Sequence, residues 1–187
     1  IFPRAKTLRT FYSFTAEPVS TDIVLAEIEG VLEAESGIAS FKTYSENSTS
    51  EYLVRTNNAS YLPIRYIQNS SEDHIHLPMI QKDWLENIKT KLQLIEAPNT
   101  GIIVGFTRDL IYDVYLISEN YNKNNIVYFN ELGQITSKPV NGGGFVLYNV
   151  PIGSREVVLQ EQLTEKIYSK VFNIKSGQAS VTHFTAD

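Results

Sequence analysis

From residue 100 onward, apolar and polar positions alternate in short runs, and turn-forming residues interrupt them every ~8–12 positions, the rhythm of a sandwich or barrel. The runs are Gly101–Thr107, Ile111–Ser118, Asn125–Phe129, Gly144–Val150, Arg155–Gln160, Lys166–Ile174 and Ala179–Phe184. In Ile111–Ser118, Tyr112, Val114 and Leu116 share one face and Asp113 points to the other. In Arg155–Gln160, Val157 and Leu159 lie opposite Glu156 and Gln160. Successive strand side chains point to opposite faces, so this alternation predicts burial on one side, as in antiparallel sheets. Upstream, strands are predicted at Ile23–Leu32, Ile38–Tyr44, Tyr52–Thr56, Tyr61–Gln68 and His74–Met79, with loop-like polar stretches at Glu46–Ser50 and Gln68–Glu72.

One segment keeps a different period. Between Lys82 and Ile95, the apolar residues Trp84, Leu85, Ile88 and Leu92 recur at helical spacing. Asp83 acts as N-cap or first-turn acid, and Pro98 and Gly101 stop the helix. A tryptophan on such a stripe is core far more often than ligand platform, so the stripe is expected to lie on a sheet. The helix divides the chain into an extended N-terminal segment at 1–21, a β unit at 22–81, a connecting helical stretch at 82–99 and a sandwich at 100–187. The expected fold class is mainly β: two tandem antiparallel β units with one amphipathic helix between them.

Composition narrows the function classes. The chain of 187 residues is 42% hydrophobic and 20% charged, enough to build globular cores and unlike a disordered chain. A net charge of −5 with scattered basic residues argues against nucleic acid, whose binding needs a basic face to displace counterions. No run of eighteen apolar residues predicts a membrane span. The absence of cysteine excludes disulfides, thiolate zinc sites and a cysteine nucleophile. A start at Ile1-Phe2-Pro3 is expected of a mature or excised chain whose targeting segment lies upstream.

The most distinctive stretch is Gly142-Gly-Gly-Phe-Val-Leu-Tyr-Asn-Val-Pro-Ile-Gly153. Gly142, Gly143 and Gly144 are expected to allow positive φ at a tight reversal. Phe145 and Leu147 then share a strand face, Pro151 ends the ladder for want of an N–H, and Gly153 supplies the next turn. This hairpin resembles that of the carboxypeptidase regulatory-like domains, which have a transthyretin-like (prealbumin-like) sandwich. The resemblance covers residues 100–186: the opening Gly101–Phe106 and Ile111–Leu116 fit that family's first two strands, and Lys175-Ser-Gly-Gln-Ala-Ser-Val its closing one. Arg108-Asp109-Leu110 and the long polar stretch Gly133–Asn141 depart from its pattern. A looser echo upstream, through Ile28–Leu32, Ser36–Lys42 and Arg55–Arg65, suggests a divergent second unit of the same type. What the resemblance implies is a fold and a range of accessory, adhesive and ligand-binding modules, with no single activity.

Candidate chemistry is sparse. His74 and His76 sit two apart in a strand, so both rings can face one metal ion, with Asp73 or His183 completing the site. The plainer reading is a wet strand face opposite Ile75 and Leu77. No Gly-x-Ser-x-Gly elbow is present, and Gly142–Gly144 is followed by neither the Lys-Ser/Thr nor the helix of a phosphate loop. The pairs Glu33/Glu35 and Glu27/Glu29 read as a solvated face. Tyrosines 44, 52, 61, 66, 121 and 128 could stack on sugars or simply fill a core. Sequons at Asn47, Asn58 and Asn69 match often by chance in a chain this rich in Asn and Ser. The sequence thus points to a non-catalytic, extracytoplasmic binding or structural module without cofactor, engaging protein, peptide or envelope polymer. The alternatives are a metal-binding or metal-dependent hydrolase domain at His74/His76 and a carbohydrate-binding module. Oligomeric state is not encoded in any motif.

Overall fold

The computed structural model of the chain describes residues 4–25, 31–43, 50–68, 73–107 and 111–184. Tyr44, the polar stretches 46–49 and 69–72, Glu27 and Glu29, the sequons at Asn47 and Asn69 and the departure at 108–110 lie outside them. The chain is mainly β and divides into two compact units, Ile1–Asn87 and Ile88–Asp187.

The first unit contains β1 (Arg4–Tyr12), β2 (Thr21–Leu25), β3 (Val31–Ala34), β4 (Ile38–Thr43), β5 (Ser50–Arg55), β6 (Ile64–Gln68) and β7 (His74–Met79). One sheet has the order β4-β1-β7, and the other runs β6-β5-β2-β3. Residues 4–12, set apart by sequence as an extended segment, form the middle strand of the first sheet. There β1 pairs antiparallel with β4 and parallel with β7. Leu8, Ile23, Val54, Ile64, Ile75 and Leu77 are buried in this unit's core. Thr10 ties its interior together: its hydroxyl donates to the Val19 carbonyl at 2.6 Å and accepts from the Thr21 hydroxyl at 3.2 Å. Such buried hydroxyls persist only when partnered.

The helix α1 spans Lys82–Leu92. Leu85 and Ile88 are buried, Trp84 is half-buried with its ring 4.8 Å from that of Phe14, and Leu92 is 41% exposed. Its end comes before the Pro98 and Gly101 stop expected from sequence. Gln93 takes φ 53°, its N–H bonds the Thr90 carbonyl at 3.2 Å, and the Leu94 N–H reaches the Lys89 carbonyl at 2.9 Å. These two reversed bonds form a Schellman closure that satisfies the last helical carbonyls, here with glutamine where glycine is usual.

The second unit holds β8 (Thr100–Thr107), β9 (Tyr112–Ile117), β10 (Ile126–Phe129), β11 (Ile135–Thr136), β12 (Gly144–Pro151), β13 (Gly153–Glu161), β14 (Ile167–Ile174) and β15 (Ala179–Phe184). Its strands form the orders β11-β10-β12-β8-β15 and β14-β13-β9, a β-sandwich. Most pairs are antiparallel, as the alternation predicts, but β15 lies parallel to β8. Strand β12 departs from simple alternation: Phe145, Val146, Leu147 and Tyr148 are all at most 2% exposed. Both faces of this strand are covered, which is why it reads as a continuous apolar run.

Candidate functional site

His74 and His76 project from β7 on one strand face. His74 is exposed, whereas His76 is half-buried with its ring edge-on to Phe11, centroids 6.2 Å apart. The parallel register with β1 sets Thr7 opposite His74 and Arg9 opposite His76. The shared face therefore brings a guanidinium, not a carboxylate, alongside the imidazoles. Asp73 has the opposite strand parity. His183 belongs to the second unit, its ring 5.3 Å from Phe106. Among the described residues, no group of three or more His, Cys, Asp or Glu is placed to hold a metal ion.

The glycine turn uses its three glycines in two different ways. Gly142 has φ +73°, as expected. Gly143 and Gly144 serve close approach instead: a β-carbon on Gly143 would strike the Phe129 carbonyl, and one on Gly144 the Gly105 carbonyl and the Phe129 ring. The Gly143 carbonyl accepts from both the N–H and the hydroxyl of Thr107, at 2.8 and 3.1 Å. Pro151 is the last residue of β12, opposite Thr100, and Gly153 opens β13 with φ +97°.

Two residues before Pro151 stands Asn149, part of the glycine-turn stretch but given no role by the sequence. Asn149 adopts φ 55°, and the pairing of β12 with β8 shifts register between Leu147 and Val150. Its side chain leaves the ladder and clamps the connection that precedes β8. Its Oδ1 accepts from the Ala97 N–H at 2.9 Å, and its Nδ2 donates to the Ile95 carbonyl at 2.8 Å. Asparagine tolerates the left-handed region better than most residues, and this was the available signal. Asn149→Ala should cost ~2–3 kcal/mol, combining lost hydrogen bonds with backbone strain; Asn149→Gly, which removes only the bonds, should cost ~1–2 kcal/mol. Urea unfolding of the two variants checks that order.

Two of the candidate tyrosines make hydrogen bonds with backbone groups. The Tyr121 hydroxyl donates to the Tyr148 carbonyl at 2.6 Å, and the Tyr128 hydroxyl accepts from the Val114 N–H at 3.4 Å. Burial raises both phenols above their ordinary pKa; for Tyr128 the Val114 bond partly opposes this, and Asp113 and Tyr115 reinforce it. With Asp113, Tyr115 and Lys123 they line an open cleft of ≈ 460 Å³. Lys170 turns inward from β14. Its ammonium donates to the Thr182 hydroxyl at 2.9 Å and the His183 carbonyl at 2.7 Å, and it sits 4.8 Å above the Phe184 ring.

The first unit carries a larger open cleft of ≈ 730 Å³, walled by Glu17, Asp22, Glu33, Glu35, Asn58 and Tyr61. Glu33 and Glu35 are exposed, as their reading as a solvated face predicts. Across the sheet Asp22 stands between Glu33 and Arg55, so one like-charge neighbour is offset by one of opposite sign. This surface can accept hydrogen bonds and favours cationic groups over anionic ones.

No family model matches the chain, and no curated protein matches it. Solved structures that the chain matches include the Bacillus anthracis TIE protein (TM-score 0.27, 11% identity, covering 99% of this chain and 33% of that one). A mutant form of the shaft pilin SpaA from Lactobacillus rhamnosus GG gives TM-score 0.32 and 8% identity over 97% of each chain. A Streptococcal ancillary pilin gives 0.28 and 12%, covering 96% of this chain and 61% of that one. The chain thus spans about a third of the Bacillus anthracis protein's length. Scores in this range lie below the level at which two chains are taken to share a fold.

Proposed function

We propose that this chain is a non-catalytic structural or binding module of an exported or cell-envelope protein, with protein, peptide or envelope polymer as its partner. Residues 100–186 are read as a transthyretin-like sandwich within it. One observation carries the proposal: the polar side chains inside the second unit are used to pin backbone. Asn149 holds Ile95 and Ala97, Tyr121 holds Tyr148, Thr107 holds Gly143 and Lys170 holds His183. Catalysis asks for polar groups converging on a space that a substrate can enter; here they converge on main-chain atoms and stiffen the scaffold. Among the described residues no helix is long and apolar enough to cross a membrane.

A second reading is favoured by one placement, the shared face of His74 and His76. Two imidazoles on adjacent same-face strand positions can ligate a divalent ion if other ligands join them. Both readings are tested with untagged protein. The module reading expects no turnover of ester, phosphoester, glycoside or peptide substrates, and a melting temperature unchanged by zinc. Turnover abolished by substituting a cleft residue would overturn it. Stoichiometric zinc that His74→Ala removes would establish the metal reading in its place.

A further inference from the structure

The sheet β14-β13-β9 has two edges, and they are built differently. On β9 the register with β13 directs the backbone groups of Tyr112, Val114 and Leu116 outward. That edge is blunted, because the Val114 N–H is bonded by the Tyr128 hydroxyl and the Leu116 carbonyl by the Ser118 N–H at 3.0 Å. On β14 the register, with the Glu161 N–H bonded to the Lys166 carbonyl, directs the backbone groups of Ile167, Ser169, Val171 and Asn173 away from β13, to a side where no described strand pairs with them. Their side chains are exposed, with Ile167 at 68% and Val171 at 59%. The row contains no proline and no outward charge, the usual means of keeping an edge unpaired. Lys170 does point inward, another such means, but its ammonium is already bonded to Thr182 and His183 within its own unit. Pairing at this edge would therefore strand no charge.

We propose that β14 is a self-association edge, taking the β14 of a second copy of this chain in antiparallel register about a two-fold axis at Ser169. The register follows from the residue order. With Ser169 opposite Ser169 of the second copy, Ile167 falls opposite Val171 and Val171 opposite Ile167. Each apolar residue then meets an apolar one, as an isologous interface requires. The hydrogen-bonding parity agrees as well. All three pairs use residues whose N–H and C=O already face the free edge, so each pair exchanges two bonds. On the same outer face Glu156 of β13 stands between Val171 and the 57% exposed Ile117, so the apolar part of the seam is confined to Ile167 and Val171 of β14. One strand pair buries less than a standard interface, so the association is expected to be weak and reversible.

The chain's lack of cysteine makes a clean test possible. Sedimentation over a concentration series should show a monomer–dimer equilibrium. Ser169→Lys and Ser169→Glu should each weaken it at least tenfold by placing like charges face to face, while an equimolar mixture of the two should recover the dimer. Circular dichroism checks that each variant stays folded. If a charged variant misfolds, Ser169→Cys serves: mild oxidation should link two copies at least tenfold faster than it links Ser176→Cys, placed in the exposed turn after β14. A wild-type chain that stays monomeric throughout overturns the proposal. So does a dimer indifferent to both charges, a mixture that fails to recover, or equal rates for the two cysteines; the first two would leave β14 free for an extended segment of another protein.

Discussion

Gly144→Ala should destabilise the second unit by ~3 kcal/mol or more, lowering its melting temperature by ~10–20 °C, although it adds only one methyl group. The reason lies in what surrounds the residue. Its new β-carbon would overlap the carbonyl oxygen of Gly105 on β8 and the ring of Phe129 on β10, the two strands that flank β12. An aromatic ring can tilt, but a carbonyl held in a central sheet cannot retreat without opening the ladder. Gly142→Ala makes the contrast. That position has φ +73° but open surroundings, with nothing nearer than a Glu131 side-chain atom at 3.7 Å. It should lose only ~1 kcal/mol of backbone preference. Thermal unfolding followed by circular dichroism would separate the two; equal losses would mean that φ, not close approach, governs the turn.

Phe145→Ala should cost ~3–5 kcal/mol, the range for emptying a fully buried aromatic site. Phe145 is 1% exposed, packs 5.9 Å from Phe184, and the far end of its ring lies against Gly105, where any β-carbon would collide with it. That last contact makes the pair strongly non-additive. Gly105→Ala alone should be severely destabilising, whereas in the Phe145→Ala background its added methyl enters the vacated space. The double variant should therefore be more stable than the sum of the single losses predicts, by ~1–3 kcal/mol. Additivity in denaturant unfolding would show that ring and glycine do not meet.

Much of this architecture could be read from residue order because its causes are local. Tyr112, Val114 and Leu116 alternate with Asp113 and Tyr115, and they are the buried face of β9. The Leu85/Ile88 stripe fell at helical spacing, and those two residues are buried in α1. Failures came where distant partners decide. Residues 4–12 carry three charges, which masks the buried series Lys6, Leu8 and Thr10 that fits β1 between β4 and β7. Gln93 ends α1 in a conformation to which glutamine has no special inclination, so composition pointed further on, to Pro98 and Gly101. Gly143 and Gly144 looked like turn residues because sequence cannot show a carbonyl arriving from β8 or β10. The candidate site fared similarly. The spacing of His74 and His76 foretold a shared face, but Arg9 beside His76 depends on a parallel register that no motif announces.

The pairing of β15 with β8 bears on how the second unit comes into being. Ala179 lies opposite Ile102, so the strand that opens this unit is flanked on one side by the strand that closes it. Such long-range contacts demand loop closure before they return any stability, and they slow folding. During synthesis from the N-terminal end, β8 must wait with one edge bare until nearly the whole unit has emerged. Its apolar run Ile102–Val104 is most vulnerable to misplaced pairing in that interval. The unit's assembly is thus gated by its last strand, and a chain cut short before Ala179 would keep that edge open for good.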